Sequence, residues 1–297
     1  MMHTDSSNRP RILLLIDIPG WAFHTVAKEI ERHLSDRFAF TIMIKDNFPT
    51  IDEDCFDLIH VFYEFEEYHK QFLTGKAKVI RSVYSHYWEI DHHLTPMQLY
   101  QRYLHDAHAV IVPSMRLFHA FEGIPPPVYL FPEGVDTALF SPGKARIGPL
   151  VVGWAGKDIP IKRLDILRAA CEGICALKIA DGSLSQDAMQ NFYRGIDVIA
   201  CTSIAEGCPR PLIEAMACGA YPVSFDVGVV PEVVIDGMNG MIVKQQSTGA
   251  FREALQWCRD HCDTIRGTRR LNAERIRATR TWQNVTAHLA DIYYAVL

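Results

Sequence analysis

The stretch from Asp197 to Gly219 restricts the fold more than any other part of the chain. Asp197-Val-Ile-Ala-Cys201 is a β-like run, a loop containing Gly207, Pro209 and Pro211 follows it, and Gly219 stands where a helix would end. With Pro211 opening the helix, this is a strand-loop-helix unit, half of a crossover in a parallel sheet. The loop of such a unit lies at the carboxyl edge of the sheet. The backbone N–H groups that open its helix point at whatever binds there, which suits an anionic ligand.

The same alternation runs along the rest of the chain. Arg11–Ile16 reads as a first strand, Asp17-Ile-Pro-Gly20-Trp21 as its turn, and Phe23, Val26, Ala27, Ile30 and Leu34 as the buried stripe of a helix. Phe38–Ile44, Asp57–Phe62 and Lys78–Val83 read as further strands, separated by segments long enough for crossovers. Thr95 and Pro96 mark a helix start with Met97, Tyr100, Leu104 and Ala107 on its apolar face; Ala109–Val112 is a strand and Ser114 a helix cap. Val128–Phe131 leads to Ser141–Pro149, rich in breakers and read as a linker. Leu150–Ala155 then opens a second domain, followed by a helix from Leu164 to Cys171, a strand Ala176–Ala180, Asp181-Gly182, and a helix through Met189, Phe192 and Tyr193. A last apolar stripe joins Trp282, Val285, Leu289, Ile292, Tyr293 and Val296, and residues 1–10 form a polar tail. A chain of 297 residues is long enough for two separate cores.

Several polar residues fall at strand ends. Glu206 in the loop and Glu214 in the first turn of the following helix can both face a ligand there; ionised carboxylates only accept hydrogen bonds, so hydroxyl-rich sugars and riboses are natural partners. The plainer alternative is that Glu214 favours the helix dipole, worth ~0.3–1 kcal/mol, and that Glu206 is a solvated loop residue. Lys157 and Lys162 follow the Leu150–Ala155 strand and, from the residues alone, read more readily as solvated surface lysines than as phosphate-binding cations. Gly20 would let the backbone approach a phosphate, or be a turn glycine. His86, after Lys78–Val83, is a candidate for substrate contact; with His92 and His93 nearby a metal is conceivable, but no helical H-x-x-x-H spacing supports one. Trp21, Tyr84, Tyr87 and Trp88 offer rings for stacking, or for core and rim packing. Asp52-Glu53-Asp54 has the D-x-D form of metal-dependent transferases but precedes a strand where it should end one, so we discount it. No G-x-G-x-x-G follows a strand and no G-x-x-x-x-G-K-[ST] occurs, against dehydrogenase and P-loop readings.

The string Glu206-Gly207, Glu214-Ala215-Met216-Ala217-x-Gly219-x-x-Pro-Val223 resembles the E-x7-E signature of the retaining GT-B glycosyltransferases of family 4, the glycosyl transferases group 1. Gly228-x-x-Pro231-Glu232 and Asp236-Gly237-x-x-Gly240 are similar to that family's next element. Gly134-Val135-Asp136-x-x-x-Phe140-x-Pro142 is similar to its N-G-V-D segment, with Glu133 where asparagine is usual. The resemblance covers residues 107–297 well and residues 11–106 by pattern. It implies an α/β GT-B fold with two doubly wound Rossmann-like domains facing a cleft. The domains would be residues 1–145 on the acceptor side and 146–277 on the nucleotide-sugar side, with a helix at 278–297 crossing back to the first.

What the resemblance implies about the site is equally specific. Glu206, Lys157 and Lys162 would be catalytic, the two lysines taking the places of an arginine and a lysine that neutralise the departing diphosphate. Glu214 would hold the ribose, and Gly20, Gly207, Cys208, Pro209, Arg210 and Asp181 would complete the donor side; His86 and Trp21 would face the acceptor. The reaction implied is transfer from a nucleoside diphosphate sugar to an acceptor hydroxyl with retention, without a metal or other cofactor, in glycan, glycolipid or glycoconjugate assembly. The acceptor would be a glycan, a lipid-linked sugar or a small molecule. Two rivals remain open: an epimerase-like enzyme acting on the nucleotide sugar without transfer, and a noncatalytic binding module that keeps the cleft.

Composition narrows the setting. Hydrophobic content of 48% with 22% charged residues describes a soluble globular protein, and a net charge of -5 argues against general nucleic-acid binding. No apolar run approaches the ~18 residues of a membrane span, and Ile12–Ile16 is too short for a signal peptide, so a cytoplasmic chain is expected. Peripheral contact with the inner face of a membrane stays open, although no strongly basic amphipathic helix is visible. The eight cysteines contain no C-x-x-C pair, and buried free thiols on helix faces are expected.

Overall fold

The computed structural model describes residues 9–45, 51–63 and 75–297. Residues 1–8 of the expected tail lie outside them. The chain divides into two compact units, one formed by Met1–Glu133 with Trp282–Leu297 and the other by Gly134–Thr281.

In the first unit the described strands are β1 (Arg11–Ile16), β2 (Ala39–Ile44), β3 (Leu58–Val61), β4 (Lys78–Ser82), β5 (Ala109–Val112) and β6 (Val128–Leu130). They form one sheet in the order β2-β1-β3-β4-β5-β6, every pair parallel. Ile12 to Ile16 are all buried, because a parallel strand covered by helices on both faces has no polar side. Helix α1 (Ala22–Leu34) buries Val26, Ala27, Ile30 and Leu34, the stripe expected of it. Shorter helices α2 (Tyr87–Ile90), α3 (Pro96–Leu99) and α4 (Met115–Ala120) follow β4 and β5.

One expected helix is changed in kind. Thr95 and Gln98 make a reciprocal capping box, so the helix starts at Pro96 as read, but after Leu99 the backbone widens into a π turn at Tyr100–Leu104. The extra residue in that turn rotates the apolar face. Leu99, Tyr103 and Leu104 are buried, whereas Met97, expected on the inner face, is exposed. The discounted D-x-D segment is structural: the Asp52 carboxylate accepts the Asp54 N–H at 3.2 Å, buried Glu53 accepts the Ala77 N–H at 3.3 Å, and Asp54 pairs with Lys76 at 3.1 Å.

The last helix, α12 (Trp282–Val296), belongs to this unit and packs on α1, burying Trp282, Val285, Leu289, Ile292 and Tyr293. A buried polar tie to the sheet is Tyr293, whose hydroxyl lies 2.8 Å from Nδ1 of His60 on β3, while Nε2 of the same ring lies 2.7 Å from Oγ of Ser82 on β4. A neutral imidazole has one donor and one acceptor nitrogen, and each hydroxyl can donate or accept, so the chain Tyr293-His60-Ser82 is satisfied with His60 uncharged. Burial alone pushes His60 down to about 3.

The second unit contains β7 (Val151–Ala155), β8 (Ala176–Ala180), β9 (Val198–Cys201), β10 (Tyr221–Phe225) and β11 (Met241–Val243), parallel in the order β11-β10-β9-β7-β8. Its helices are α5 (Leu164–Cys171), α6 (Gln186–Arg194), α7 (Arg210–Ala217), α8 (Val230–Val233), α9 (Thr248–Asp260), α10 (Cys262–Gly267) and α11 (Arg269–Thr279). At the amino edge of this sheet the buried Asp197 carboxylate takes Arg266 at 3.0 Å, Arg146 at 3.2 Å and the Val151 N–H at 3.0 Å. Burial alone would raise its pKa, but these partners hold it below the ordinary carboxylate range. The eight cysteines are free thiols, with Cys171, Cys201, Cys218 and Cys258 buried. Among the described residues no helix is long and apolar enough to cross a membrane.

The first unit should be acid-labile through His60. The unfolded chain binds a proton at this histidine below about 6.5 and the native ring only near 3, so its contribution is complete above 6.5 and is lost as pH falls toward 3. Denaturant titrations between about pH 6 and pH 4 should show a stability slope about 1.4 kcal/mol per pH unit shallower in His60→Gln than in the parental protein. Equal slopes would mean that His60 is protonated in the native state.

Candidate active site

In the second sheet β7 lies between β8 and β9, so the chain moves one way from β7 to β8 and the other way from β9 to β10. Right-handed crossovers then place α5 and α7 on opposite faces, and the loops that follow β7 and β9 part from each other at the carboxyl edge. The residues singled out from the sequence fall largely on those two loops.

The loop after β7 narrows into a 3-10 turn at Pro160–Lys162, and Arg163 in the left-handed region (φ 47°) releases the chain into α5. Two hydrogen bonds tie this turn to the start of the other loop: the Ile204 N–H donates to the Ile161 carbonyl at 3.0 Å, and the Thr202 hydroxyl donates to the Lys162 carbonyl at 2.9 Å. The result is that the Lys162 ammonium donates to the Glu206 carboxylate, with side-chain exposures of only 28% and 12%. Trp154, Cys201, Ser203 and Pro209 line the same pocket. Burial works to lower the Lys162 pKa, but the charge of Glu206 and the hydrogen bond to it prevail, and the ammonium is held above its ordinary range. Burial, then the Glu206 charge, pushes the neighbouring Cys201 thiol up, so it stays neutral.

Helix α7 begins at Arg210, one residue before the expected Pro211, with no side-chain cap at Pro209. Glu214 therefore sits in the second turn and not the first, and its contribution to the helix dipole is correspondingly small. Both of its oxygens are occupied within the protein: Oε2 accepts the Tyr193 hydroxyl at 2.9 Å, and Oε1 accepts from Arg210 one turn earlier at 3.3 Å. Arg210 thus places a side chain, and not only a backbone group, at Glu214. Gly207 and Pro209 are buried and Cys208 half-buried.

The Glu206-Gly207 segment is held from behind by Gly228. The Val229 N–H donates to the Gly207 carbonyl at 2.9 Å, and a Cβ on Gly228 would lie 2.1 Å from that same oxygen. With φ at +46°, position 228 excludes a side chain both by conformation and by space.

The remaining candidates are more dispersed. Lys157 is exposed at the start of the β7 loop and is not part of the Lys162–Glu206 pair. Asp181, after β8, is exposed and accepts the Ser183 N–H at 3.2 Å; bonding from Ser183 holds its carboxyl below the ordinary range. In the first unit, Gly20 donates its N–H to Nδ1 of His24 at 2.7 Å, and Trp21, 43% exposed, precedes α1. The His86 side chain is 12% exposed and 3.6 Å from Glu89; burial, then Arg116, lowers its pKa, and its buried Nε2 has no hydrogen-bond partner among the described residues. Among the described residues no three histidine, cysteine, aspartate or glutamate side chains converge as metal ligands. Tyr193 was missed as a site residue because its position on the apolar stripe of α6 explains it as core; its hydroxyl was the only signal. Thr202 gave no signal at all.

Comparison with known proteins agrees with this architecture. The family profile described as glycosyl transferases group 1 matches residues 180–260. D-inositol 3-phosphate glycosyltransferases of Mycobacterium bovis and Mycobacterium tuberculosis are 26% identical over 201 residues, covering 54% of this chain and 42% of theirs. The chain thus matches less than half the length of those relatives. Among solved structures, a sucrose-phosphate synthase from Thermosynechococcus elongatus superposes with a TM-score of 0.78 at 15% identity, covering 97% of this chain and 99% of that one. Anabaena HepE in complex with UDP-glucose superposes at 0.72, also at 15% identity, covering 97% and 100%. The resemblance read from Glu206 to Gly219 stands, and the fold is that of the Rossmann-like two-domain GT-B glycosyltransferases.

The two glycines give a direct test of how the loop is held. Gly20 is also at positive φ, +80°, but a Cβ there meets nothing within 4 Å. Gly20→Ala should therefore cost about 1–2 kcal/mol from conformation alone, and Gly228→Ala about 3 kcal/mol or more once the clash is added. Chemical denaturation of both variants checks this, and similar losses would mean that the Gly228 contact is not maintained in solution.

Proposed function

We propose that this chain is a glycosyltransferase that moves a sugar from a nucleoside diphosphate sugar to an acceptor hydroxyl with retention of anomeric configuration. The observation that carries the reading is the desolvated Lys162 ammonium paired with Glu206, beside the start of α7. An ammonium has three donors, and one serves Glu206, which leaves two for phosphate oxygens. Its raised pKa keeps it charged at neutral pH, so it can stabilise the negative charge that grows on the diphosphate as the bond to the sugar breaks.

The other groups follow from position and chemistry. Lys157, on the same loop, adds a second cation, and backbone N–H groups between Gly207 and Arg210 add fixed dipoles. Glu206 accepts hydrogen bonds from sugar hydroxyls, and Glu214 from the ribose. We assign contact with the acceptor to His86 and Trp21, and contact with the donor to Asp181. No side chain is assigned as a covalent nucleophile; the incoming hydroxyl attacks the face that the diphosphate leaves and gives its proton to the departing diphosphate oxygen. HepE was crystallised with UDP-glucose, which makes UDP sugars the first donors to try. The acceptor class is a glycan, a lipid-linked sugar or a small molecule, in assembly of a glycan or glycoconjugate.

Lys162→Ala and Glu206→Ala should each lower kcat/KM by ~10²-fold or more, the usual loss on removing one group that acts on developing charge. Donor consumption with a panel of acceptors, on protein whose melting temperature shows it folded, makes the measurement. Parental rates in both variants would sink the assignment. Isomerised sugar formed from donor alone would replace transfer with epimerisation, and donor binding without turnover would leave a binding module.

A further inference from the structure

Glu214 is not free to choose its orientation. A carboxylate offers about four lone-pair sites, and two are taken inside the protein, by Tyr193 at 2.9 Å and by Arg210 at 3.3 Å. Two remain, which is the number a vicinal diol requires. Of the two holders, Tyr193 is the rigid one. Its ring is fully buried, with Phe140 5.7 Å away and Phe192 5.6 Å away, both edge-on. The next residue, Arg194, fastens the end of α6 to Ser141 through bonds of 2.8 and 2.9 Å. A phenol so enclosed is held by its packing, whereas Arg210 has a long flexible stem.

We propose that Tyr193 is a positioning residue for ribose recognition: by fixing Oε2 of Glu214 it turns the open lone pairs of that carboxylate toward the 2′ and 3′ hydroxyls, and so makes the protein select ribonucleoside over deoxyribonucleoside diphosphates. This rests on the reading of Glu214 as the ribose acceptor. The competing explanation is that the bond only satisfies a buried hydroxyl, as buried tyrosines require. The two differ in one respect. A purely structural tyrosine affects every ligand alike, and a positioning tyrosine affects only ligands that carry the hydroxyls.

Calorimetric titration of the whole chain with UDP, ADP and GDP, each beside its 2′,3′-dideoxy counterpart, separates them. The parental protein should prefer the ribose form of its nucleotide by roughly tenfold or more, the value of hydrogen bonds to a charged group. Tyr193→Phe should lose most of that preference while its affinity for the dideoxy form stays within about a factor of two of parental. Phe140→Leu, which keeps the hydroxyl but loosens the ring, should lose part of it. Equal weakening toward both forms in Tyr193→Phe, or an intact preference in either folded variant, overturns the proposal. A parental protein that binds nucleotide without any ribose preference overturns the Glu214 reading beneath it, and is recognisable because no variant is needed to see it.

Discussion

The reversal of winding at β7 is the constraint from which the second unit's chemistry follows. Because β8 and β9 flank β7, the loops leaving β7 and β9 diverge, and polar groups gather at the carboxyl edge between them. Backbone bonds then close the gap selectively: Ile204 to Ile161 and Thr202 to Lys162 hold the two loops together at the level where the Lys162 side chain meets Glu206. Neither charged group would be stable there alone, since a half-buried ammonium or carboxylate without a partner loses several kcal/mol of hydration. Each therefore fixes the other, and the pair is delivered as a unit to whatever occupies the pocket.

A second layer stands behind this pair and gives it precision. Gly228 admits the Gly207 carbonyl to a distance that any side chain would forbid, and Val229 returns a hydrogen bond to it. Tyr193 does the corresponding work for Glu214 from α6. The charged side chains of the pocket are thus set by residues behind them, a division in which packing supplies geometry. In the first unit a buried chain, Tyr293-His60-Ser82, ties α12 to strands that lie more than two hundred residues earlier. Its neutrality lets it survive in an otherwise apolar core.

Much of this was legible in the residue order, for identifiable reasons. Parallel strands buried on both faces are written as unbroken apolar runs, and so β1 to β9 could be found with ends wrong by a residue or two, whereas β10 and β11, interrupted by Pro222 or only three residues long, were not read as strands. Helix α1 and α12 announced themselves by period. The carboxylates and lysines were legible because loops at strand ends are short and rich in breakers, which limits where a charge can point. The failures were equally physical. Met97 was misplaced because a π turn adds one residue that no local pattern records, and Glu214 moved out of the first turn because a helix can begin before its proline as well as at it.

The order of residues by itself determined two parallel sheets, their crossovers, and a cluster of acidic and basic groups at one edge, because each depends on periodicity and breakers within a few residues. Only the tertiary structure decided which charges meet. Lys157 and Lys162 have the same side chain, but one is exposed and the other lies against Glu206, and bonds between loops forty residues apart make that difference. Tyr193 and Glu214 met in the same way, through the packing of α6 on α7, because contact between distant segments is set by how layers stack and not by anything either segment contains.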